Sequence, residues 1–506
     1  MEELEIQFHD VCIEGNIEEV KTFLQSSLIV DINCGNENGE TAFFLACYNG
    51  HIEIVKLLAA DERVDVNKAE NSAGATPFFA VCALGRIEIV KLLLNNERVD
   101  IGKAKKKGIT PLFAACCRGH TEIVKLLLKD ERINVNEAEN NFNATAFWIA
   151  CRNEQIEMIQ LLLDDERVDI NLANKDGKTP FHIACQDENT EVAKLLLNDP
   201  RVDINKANKD EATPFYTACR DRNIEIVKLL FNDNRIDLNK PNKHGETPLC
   251  VTCRESEGEN CVEIAKLLLN EEKVDVNKAN EEGKTPFHVA CESFYPGIIK
   301  LLLDNQRIDV NLVTNKGETA FHLACSEYQS DVVKLLLLDG RIDINQVNNK
   351  GETPFHKFCS DQSSDQLDEN LELLELLLND KRVDINKADN NGATPLWIAS
   401  ESGLVKLVEY FFTSGREINL DAKDKRGRTA LDITRMPEQY LLEKNQIFLE
   451  DLIQQMFEEK VRDCSKVTEL LINPYETRVR LRKQFGFAGK KLFLFLIFFY
   501  FFKKLK

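Results

Sequence analysis

The sequence predicts an all-α repeat solenoid, in which helix–turn–helix units are stacked and joined by hairpin fingers. First, a unit of 34–35 residues recurs along most of the 506-residue chain. Second, each copy contains a stretch with apolar residues at helical spacing. Third, 43% of the residues are hydrophobic and 29% are charged, with only 13 Pro and 23 Gly, which excludes a disordered or low-complexity chain.

Each copy is anchored on a threonine, and the segment GKTPFHIACQDENTEVAKLLLNDPRVDIN (177–205) is a typical example. Insertions near 254–261 and 360–370 interrupt the spacing, and we expect both between the first and second helix of a repeat. An N-terminal half-unit (8–24) precedes the first full copy. The anchoring threonines are Thr41, Thr76, Thr110, Thr145, Thr179, Thr213, Thr247, Thr285, Thr319, Thr353, Thr394 and Thr429.

Each part of a repeat has a physical reason. The threonine caps the first helix, and the proline that usually follows it fits the first helical position. The second helix, such as 87–94, has one apolar stripe. The R-V-D-I-N segment, such as 201–205, alternates branched and polar residues as a half-buried strand requires. The finger tip needs a positive φ, which suits Gly or Asn143, so Glu211 in that slot predicts a reshaped hairpin.

Together, T-P-F-H-I-A-C, G-H-I-E-I-V-K-L-L-L and R-V-D-I-N resemble the ankyrin repeat. The resemblance covers about residues 8–435, as about twelve repeats after an N-terminal half-repeat cap. It implies an ankyrin array with β-hairpin fingers. It also implies that partner proteins contact the finger tips and the exposed, concave side of the first helices.

We expect four segments. Residues 1–38 form the N-terminal capping half-repeat and first finger, and residues 39–435 form the repeat array. Residues 436–489 form a small helical C-terminal module, and residues 490–506 form an apolar and basic tail.

The sixteen cysteines and eight histidines follow the repeat register. Ten cysteines lie six residues after the threonine, and Cys12 matches them in the cap. Successive members are about 10 Å apart, too far for a disulfide, so we expect them to be buried packing residues. The histidines also occupy repeat positions, such as His182 in T-P-F-H, which predicts a structural role for them.

No sequence feature indicates catalysis. The chain contains no phosphate-binding loop, nucleophile elbow, zinc-protease motif or kinase motif. We therefore expect a protein that is not an enzyme and has no cofactor or metal. The net charge of −20 disfavours nucleic acid as a partner. The acidic N-terminus is unlike a signal peptide, so we expect a cytoplasmic protein.

The candidate protein-binding residues include the aromatic side chains three residues after the threonine. At half-exposed sites they would be anchors for a partner. The alternative is that each ring only packs on the helix of the next repeat. These candidates are Phe44, Phe79, Phe113, Trp148, Tyr216 and Trp397.

Charge on the same side changes sign along the chain. Basic residues at tips and helix ends are Lys105, Lys106, Lys107, Arg118, Arg152, Lys175, Lys209, Arg220, Lys243 and Arg254. Acidic ones follow: Glu281, Glu282, Glu292, Glu327 and Asp361. We take Lys105, Lys106, Lys107, Arg118, Arg152, Arg220 and Arg254 as binding candidates. The hypothesis is a groove for an extended partner of matching polarity, and the alternative is ordinary solvated charge.

The C-terminus differs from the array, since residues 475–506 contain nine basic side chains and one acidic one. The apolar run 492–502 would be about 16 Å long as a helix, against the ~30 Å of a bilayer core. It could lie on a membrane surface, be buried under the C-terminal module, or be a frameshifted end.

We therefore expect a non-catalytic scaffold or adaptor that binds partner proteins on its concave face. A membrane-tethered adaptor, or a regulatory or substrate-receptor subunit of an enzyme complex, are the alternatives. The identity of the partners and the oligomeric state are left open.

Overall fold

The computed structural model describes residues 3–26, 31–254, 258–360 and 370–434. Within these ranges the regular elements are helices, apart from one isolated antiparallel bridge between Gly35 and Thr41. The chain divides into two compact units at Lys243 and His244. Each unit is an all-α repeat solenoid, which confirms the predicted fold class.

The first unit begins with the helix pair of the cap and continues through six repeats. A short 3₁₀ helix (Lys106–Gly108) lies in one finger. Its α-helices are α1 (Glu3–Glu14), α2 (Ile17–Gln25), α3 (Ala42–Asn49), α4 (Ile52–Ala60), α5 (Pro77–Ala83), α6 (Ile87–Leu94), α7 (Pro111–Arg118), α8 (Thr121–Leu128), α9 (Ala146–Arg152), α10 (Ile156–Leu163), α11 (Pro180–Gln186), α12 (Thr190–Leu197), α13 (Pro214–Arg220) and α14 (Ile224–Phe231).

The second unit repeats the same pattern as far as residue 434. Its described α-helices are α15 (Pro248–Arg254), α16 (Glu259–Asn270), α17 (Pro286–Glu292), α18 (Pro296–Asp304), α19 (Ala320–Ser326), α20 (Ser330–Leu338), α21 (Pro354–Ser360), α22 (Leu371–Asn379), α23 (Pro395–Glu401), α24 (Val405–Thr413) and α25 (Ala430–Thr434).

Helices of the same kind pack against each other in successive repeats. First helices contact first helices, as α5 contacts α3 and α7, and second helices contact second helices, as α18 contacts α16 and α20. The core between them contains the register phenylalanines and cysteines, for example Phe181 (1% exposed) and Cys185 (0%). A repeat of this kind buries its apolar face only against its neighbours.

The first helices begin as the sequence predicts. In α11, Thr179 Oγ1 accepts a hydrogen bond from the backbone N–H of His182 (3.2 Å), and Pro180 is the first helical residue. The capping bond satisfies an N–H that has no partner inside the helix.

The R-V-D-I-N segments are not strands. In 201–205 the predicted alternation is present, because Val202 and Ile204 are buried and Asp203 is exposed, but the backbone forms turns. Side chains replace the backbone ladder that a strand would need. Asn171 of the preceding finger donates to the Arg201 carbonyl (2.8 Å) and accepts from the Asp203 N–H (2.8 Å).

The tip at Glu211 is also not reshaped, so that prediction was wrong. Glu211 has φ +58° and donates its N–H to the Asn208 carbonyl (3.0 Å), as Gly177 does to Asn174 (2.9 Å) in the preceding finger. The Asn208 side chain accepts two further N–H groups of the same turn. These bonds hold the turn geometry although the residue carries a Cβ.

The first insertion partly lengthens a second helix, because α16 has twelve residues and begins at Glu259. Cys261 in this extension is buried. Residues 255–257 and 361–369, the expected helical module (436–489) and the apolar tail (490–506) lie outside the described residues.

Candidate partner-binding face

The exposed part of each first helix is its C-terminal end. In α3, residues 42–47 are buried, whereas Tyr48 and Asn49 are exposed. In α7, residues 111–116 are buried, whereas Cys117 and Arg118 are exposed. These two helices therefore offer only their last two side chains to another molecule.

The base of each finger tip lies next to this helix end. Lys178, directly before the capping threonine, donates to Gln186 at the end of α11 (2.6 Å). Within the second unit, Lys284 pairs with Glu292 (2.8 Å) and Arg254 pairs with Glu246 in the same two positions. Within each unit, tips and helix ends therefore form one continuous surface, which we call the contact face.

The six candidate aromatics lie beneath this face. They range from 3% exposed for Tyr216 to 9% for Phe113, so the interpretation of these sites as half-exposed was wrong. The rings pack on the next repeat, which the sequence left as the alternative. Whether any of them touches a partner stays a prediction. The six are Phe44, Phe79, Phe113, Trp148, Tyr216 and Trp397.

Packing explains the burial of the aromatic rings in the first four repeats. Phe44 and Phe79 form a cluster with the small side chains Ala80 and Ala114. Phe113 packs with Trp148 and with residues of the two following repeats. Small residues on the next first helix leave room for a large ring, so burial here depends on the neighbouring repeat.

Trp148 forms the same kind of hydrogen bond between repeats as a histidine at the matching position. Its Nε1–H donates to the Lys178 carbonyl (3.0 Å), thirty residues further along the chain. His182 Nε2 makes the matching bond to the Ala212 carbonyl (3.1 Å), also thirty residues further. Tyr216 instead accepts a hydrogen bond from Asn242 through its hydroxyl (2.9 Å). In the second unit, Trp397 Nε1 has no hydrogen-bond partner among the described residues.

The buried histidines are structural, as predicted. His182 Nδ1 accepts the N–H of Thr179 (3.2 Å), so its proton is on Nε2, which faces a carbonyl. Burial lowers the pKa of His182, His288 and His322 to about 4, although each imidazole also hydrogen-bonds a carbonyl, which acts in the opposite direction. These side chains are therefore neutral connectors between repeats at pH 7.

Two of the basic candidates place their charged groups over buried aromatic rings. Lys105 Nζ lies 4.9 Å from the centre of the Phe79 ring, and the Arg152 guanidinium lies 5.7 Å from the Trp148 ring. A cation over an aromatic face is attracted by the ring quadrupole. The aromatics therefore support charges on the contact face.

The other candidates differ in how far their charge is neutralised. Arg118 is exposed and has no ion pair within the described residues. Arg220 pairs with Asp221 (2.8 Å). Lys106 donates to two carbonyls of the preceding tip, Asn71 (2.7 Å) and Ser72 (2.8 Å).

Lys107 is an exposed tip residue with φ +72°, and its carbonyl accepts the Asn140 N–H of the next tip (2.7 Å). Arg254, which belongs to the second unit, pairs with Glu246. In the first unit, the charge open to a partner therefore lies around Lys105–Lys107, Arg118 and Arg152.

The acidic candidates of the second unit are partly neutralised. Glu282 and Glu292 both pair with Lys284, at 3.0 Å and 2.8 Å. Glu327 is exposed, and Asp361 lies outside the described residues. The predicted acidic part of the groove is therefore weaker than its residue count indicates.

Sequence reasoning missed three exposed apolar side chains on or beside the contact face. Tyr48 is 49% exposed at the end of α3, Leu84 is 37% exposed directly after α5, and Phe142 is 63% exposed at a finger tip. The repeat register contains a signal for each of them. Most matching positions in other repeats hold polar or charged residues, and none of the three lies three residues after a capping threonine, where the aromatic candidates are.

The register cysteines are buried free thiols, as predicted. Cys12 and Cys47 are completely buried, and burial raises the pKa of Cys12 to about 12. Among the cysteines in the described ranges only Cys117 is exposed, and Cys464 lies outside those ranges. No group of three or more His, Cys, Asp or Glu residues within the described ranges could hold a metal ion.

These features define a class of protein: an all-α repeat solenoid whose outward chemistry is a surface of tips and helix ends. The family model for ankyrin repeats matches overlapping segments that together cover residues 8–434. The chain therefore belongs to the ankyrin repeat family. Such repeats generally mediate protein–protein interaction, and proteins built from them are typically non-catalytic. No curated protein matches the sequence.

Over the described residues, no helix combines the length and apolar character needed to cross a bilayer. The apolar run 492–502 is not among those residues.

Proposed function

We propose that this protein is a cytoplasmic, non-catalytic scaffold or adaptor that binds partner proteins on the contact face. The observation that supports the proposal is the set of cations in the first unit. Lys105, Arg118 and Arg152 lie at tips and helix ends, and none of them forms an ion pair within the described residues. A surface with unneutralised cations favours partners with carboxylates.

The buried rings make these cations better contacts. An exposed lysine or arginine loses side-chain entropy when a partner immobilises it, which reduces affinity. Lys105 over Phe79 and Arg152 over Trp148 are already restricted, so less entropy is lost on binding. Phe79 and Trp148 therefore contribute to binding by supporting these two basic residues.

A charge-reversal experiment tests the proposal. The variant Lys107→Glu, Arg118→Glu, Arg152→Glu changes only exposed residues of the contact face. The matched control Lys56→Glu, Lys91→Glu, Lys129→Glu changes the net charge by the same amount as the face variant. Lys56 and Lys91 lie on second helices, and Lys129 directly follows one. We expect the face variant to lose at least ten-fold in the yield of proteins crosslinked to the full chain, and the control to retain them.

The result that contradicts the proposal is equal capture by the parent and the face variant. Circular dichroism and the melting temperature must match among all three proteins, because a misfolded variant would also lose partners. Loss of capture by the control alone would place the binding site on the second helices.

The apolar and basic tail favours a second candidate, a membrane-tethered adaptor. Lysines flank its apolar run on both sides, and such lysines can reach the interface of a bilayer. A reporter protein fused to residues 490–506 would collect on membranes if this candidate holds. A diffuse reporter contradicts it. Loss of some partners on deletion of 436–506, with others retained, would instead favour a subunit of an enzyme complex.

A further inference from the structure

Exposed apolar side chains follow one another along the start of the first unit. Ile13 lies near the end of α1, Tyr48 near the end of α3 and Leu84 directly after α5, with exposures of 41%, 49% and 37%. α3 contacts both α1 and α5, so the three side chains follow one another at the C-terminal ends of adjacent helices, and we treat them as a row. We call this row the apolar section of the contact face.

Stacking on a neighbouring ring restricts the motion of the Tyr48 side chain. Its ring stacks on the buried Phe44 ring at 6.2 Å between centroids, with 18° between the planes. A fixed, half-exposed aromatic side chain loses little entropy when a partner covers it. Such side chains are common anchors of protein interfaces.

The side chains on the contact face change from apolar to basic at α7, the next first helix. The ends of α7 and α9 carry Arg118 and Arg152, which lie eight and seven residues after their capping threonines, and the finger before α7 carries Lys105–Lys107. We call these residues the cationic section. Phe142 gives this section one apolar contact, because its tip is hydrogen-bonded to the tips of Lys107 and Lys175 on either side (2.7 and 2.6 Å).

We infer that the first unit binds one linear peptide segment of a partner protein, with an apolar block over α1, α3 and α5 and an acidic block over α7 and α9. The inference rests on the proposed function and specifies the chemistry of the partner. Apolar contact with the row removes exposed apolar area from water, and acidic side chains neutralise cations that form no ion pair within the described residues. The order of the two blocks fixes the register of the segment.

The spacing of the repeats limits the length of each block. Neighbouring repeats are about 10 Å apart, and an extended chain advances about 3.3 Å per residue. One repeat therefore corresponds to about three residues of an extended segment. The three apolar contacts would span about seven residues, and the acidic block would follow within a segment of about sixteen residues.

Selection from a library of random sixteen-residue peptides displayed on phage tests the inference with the full chain. The parent should enrich peptides that have separate apolar and acidic blocks. The variant Tyr48→Ser, Leu84→Ser should lose at least five-fold of the enrichment for the apolar block and keep the acidic one. The variant Arg118→Glu, Arg152→Glu should lose the acidic block and keep the apolar one.

Two controls separate surface chemistry from folding. Ile52→Ser removes an equally exposed apolar side chain (39%) from the second helix α4, and Lys129→Glu reverses a charge directly after α8. Both should select the same peptides as the parent.

Cys117, exposed between the two sections, provides a second measurement. A selected peptide should slow its alkylation by iodoacetamide at least five-fold, as followed by mass spectrometry.

Three results would overturn the inference: enriched peptides without ordered blocks, face variants that select the same peptides as the parent, or no peptide enriched over the unselected library. None of these decides the proposed function, which depends on the crosslinking of whole proteins to the charge-reversal variant. If that variant loses its partners while no ordered peptide is selected, the face binds folded surfaces and the inference alone fails.

Discussion

At the scale of single residues, the array imposes a left-handed backbone on side chains that do not favour it. Glu211 has φ +58° at a position where the preceding finger has Gly177 with φ +78°. A residue with a Cβ loses about 1–2 kcal/mol in this conformation relative to glycine. The tip keeps its shape because Lys209 N–H bonds the Asp176 carbonyl (3.0 Å) and Lys243 N–H bonds that of Asp210 (2.8 Å).

We therefore expect Glu211→Gly to raise the free energy of unfolding by about 0.5–1 kcal/mol. Relief of the left-handed strain exceeds the entropy that glycine adds to the unfolded chain. Urea unfolding followed by circular dichroism measures the difference. Glu211→Ala is the control, since alanine keeps the Cβ and should give no gain. A less stable glycine variant would contradict the strained tip.

At the scale of elements, asparagines join successive fingers. Asn67 donates to the Arg98 carbonyl (2.7 Å) and accepts from the Asp100 N–H (2.8 Å). Asn136 and Asn171 form the same two bonds in later repeats of the first unit. In the corresponding position the third finger has Gly102, which has no side chain to continue the series.

Gly102→Asn should restore the missing link and stabilise the protein. The site has room, because the nearest atom to an added Cβ is Asp100 Oδ1 at 3.9 Å. The new side chain would face the Arg132 carbonyl and the Asn134 N–H, and two hydrogen bonds are worth about 1–2 kcal/mol. Gly102→Ala separates this gain from the entropy effect, which alone is about 0.4–1 kcal/mol. Equal stability of the two variants would contradict the ladder.

Local pattern was sufficient for some of these features and insufficient for others. The threonine register predicted the helices, the buried Cys185 and the structural His182 because these depend on positions within one repeat. The pattern within one repeat left burial of Phe44 as one of two alternatives, since burial depends on small residues such as Ala80 in the next repeat. The asparagine ladder also joins two fingers, so the alternation in 201–205 was interpreted as a strand.

At the scale of the whole molecule, each unit contains two kinds of titratable link between repeats. The first is the buried histidine three residues after the capping threonine, such as His182 in the first unit and His322 in the second. Burial lowers the pKa of both side chains to about 4. The second is the aspartate that follows a second helix, which pairs with an arginine that donates to a carbonyl of the preceding repeat, as Arg167 does to Leu128 (2.6 Å). Hydrogen bonds from Arg341 lower the pKa of Asp339, and Arg167 does the same for Asp165.

Both kinds of link make stability fall as pH falls, but in different windows. A histidine in the unfolded chain has a pKa of about 6.5, so below that pH it is protonated while the buried histidine of the folded chain stays neutral. Its contribution to the free energy of unfolding is therefore lost between about pH 6.5 and pH 4. The folded aspartates have a pKa below the unfolded value of about 3.9. Their contribution is complete above that value and is lost as pH falls through the folded pKa.

We therefore expect the free energy of unfolding to decline in two stages. Between pH 7 and pH 5 each buried histidine should account for roughly 1–2 kcal/mol, measured by urea unfolding of the full chain. In the variant His288→Gln, His322→Gln this first decline should be smaller, while the decline below pH 4 should remain. His51→Gln, at a residue that does not lie three positions after a capping threonine, is the control and should leave both stages unchanged. An unaltered first stage in the double variant would show that protonation of these connectors does not limit the stability of the array.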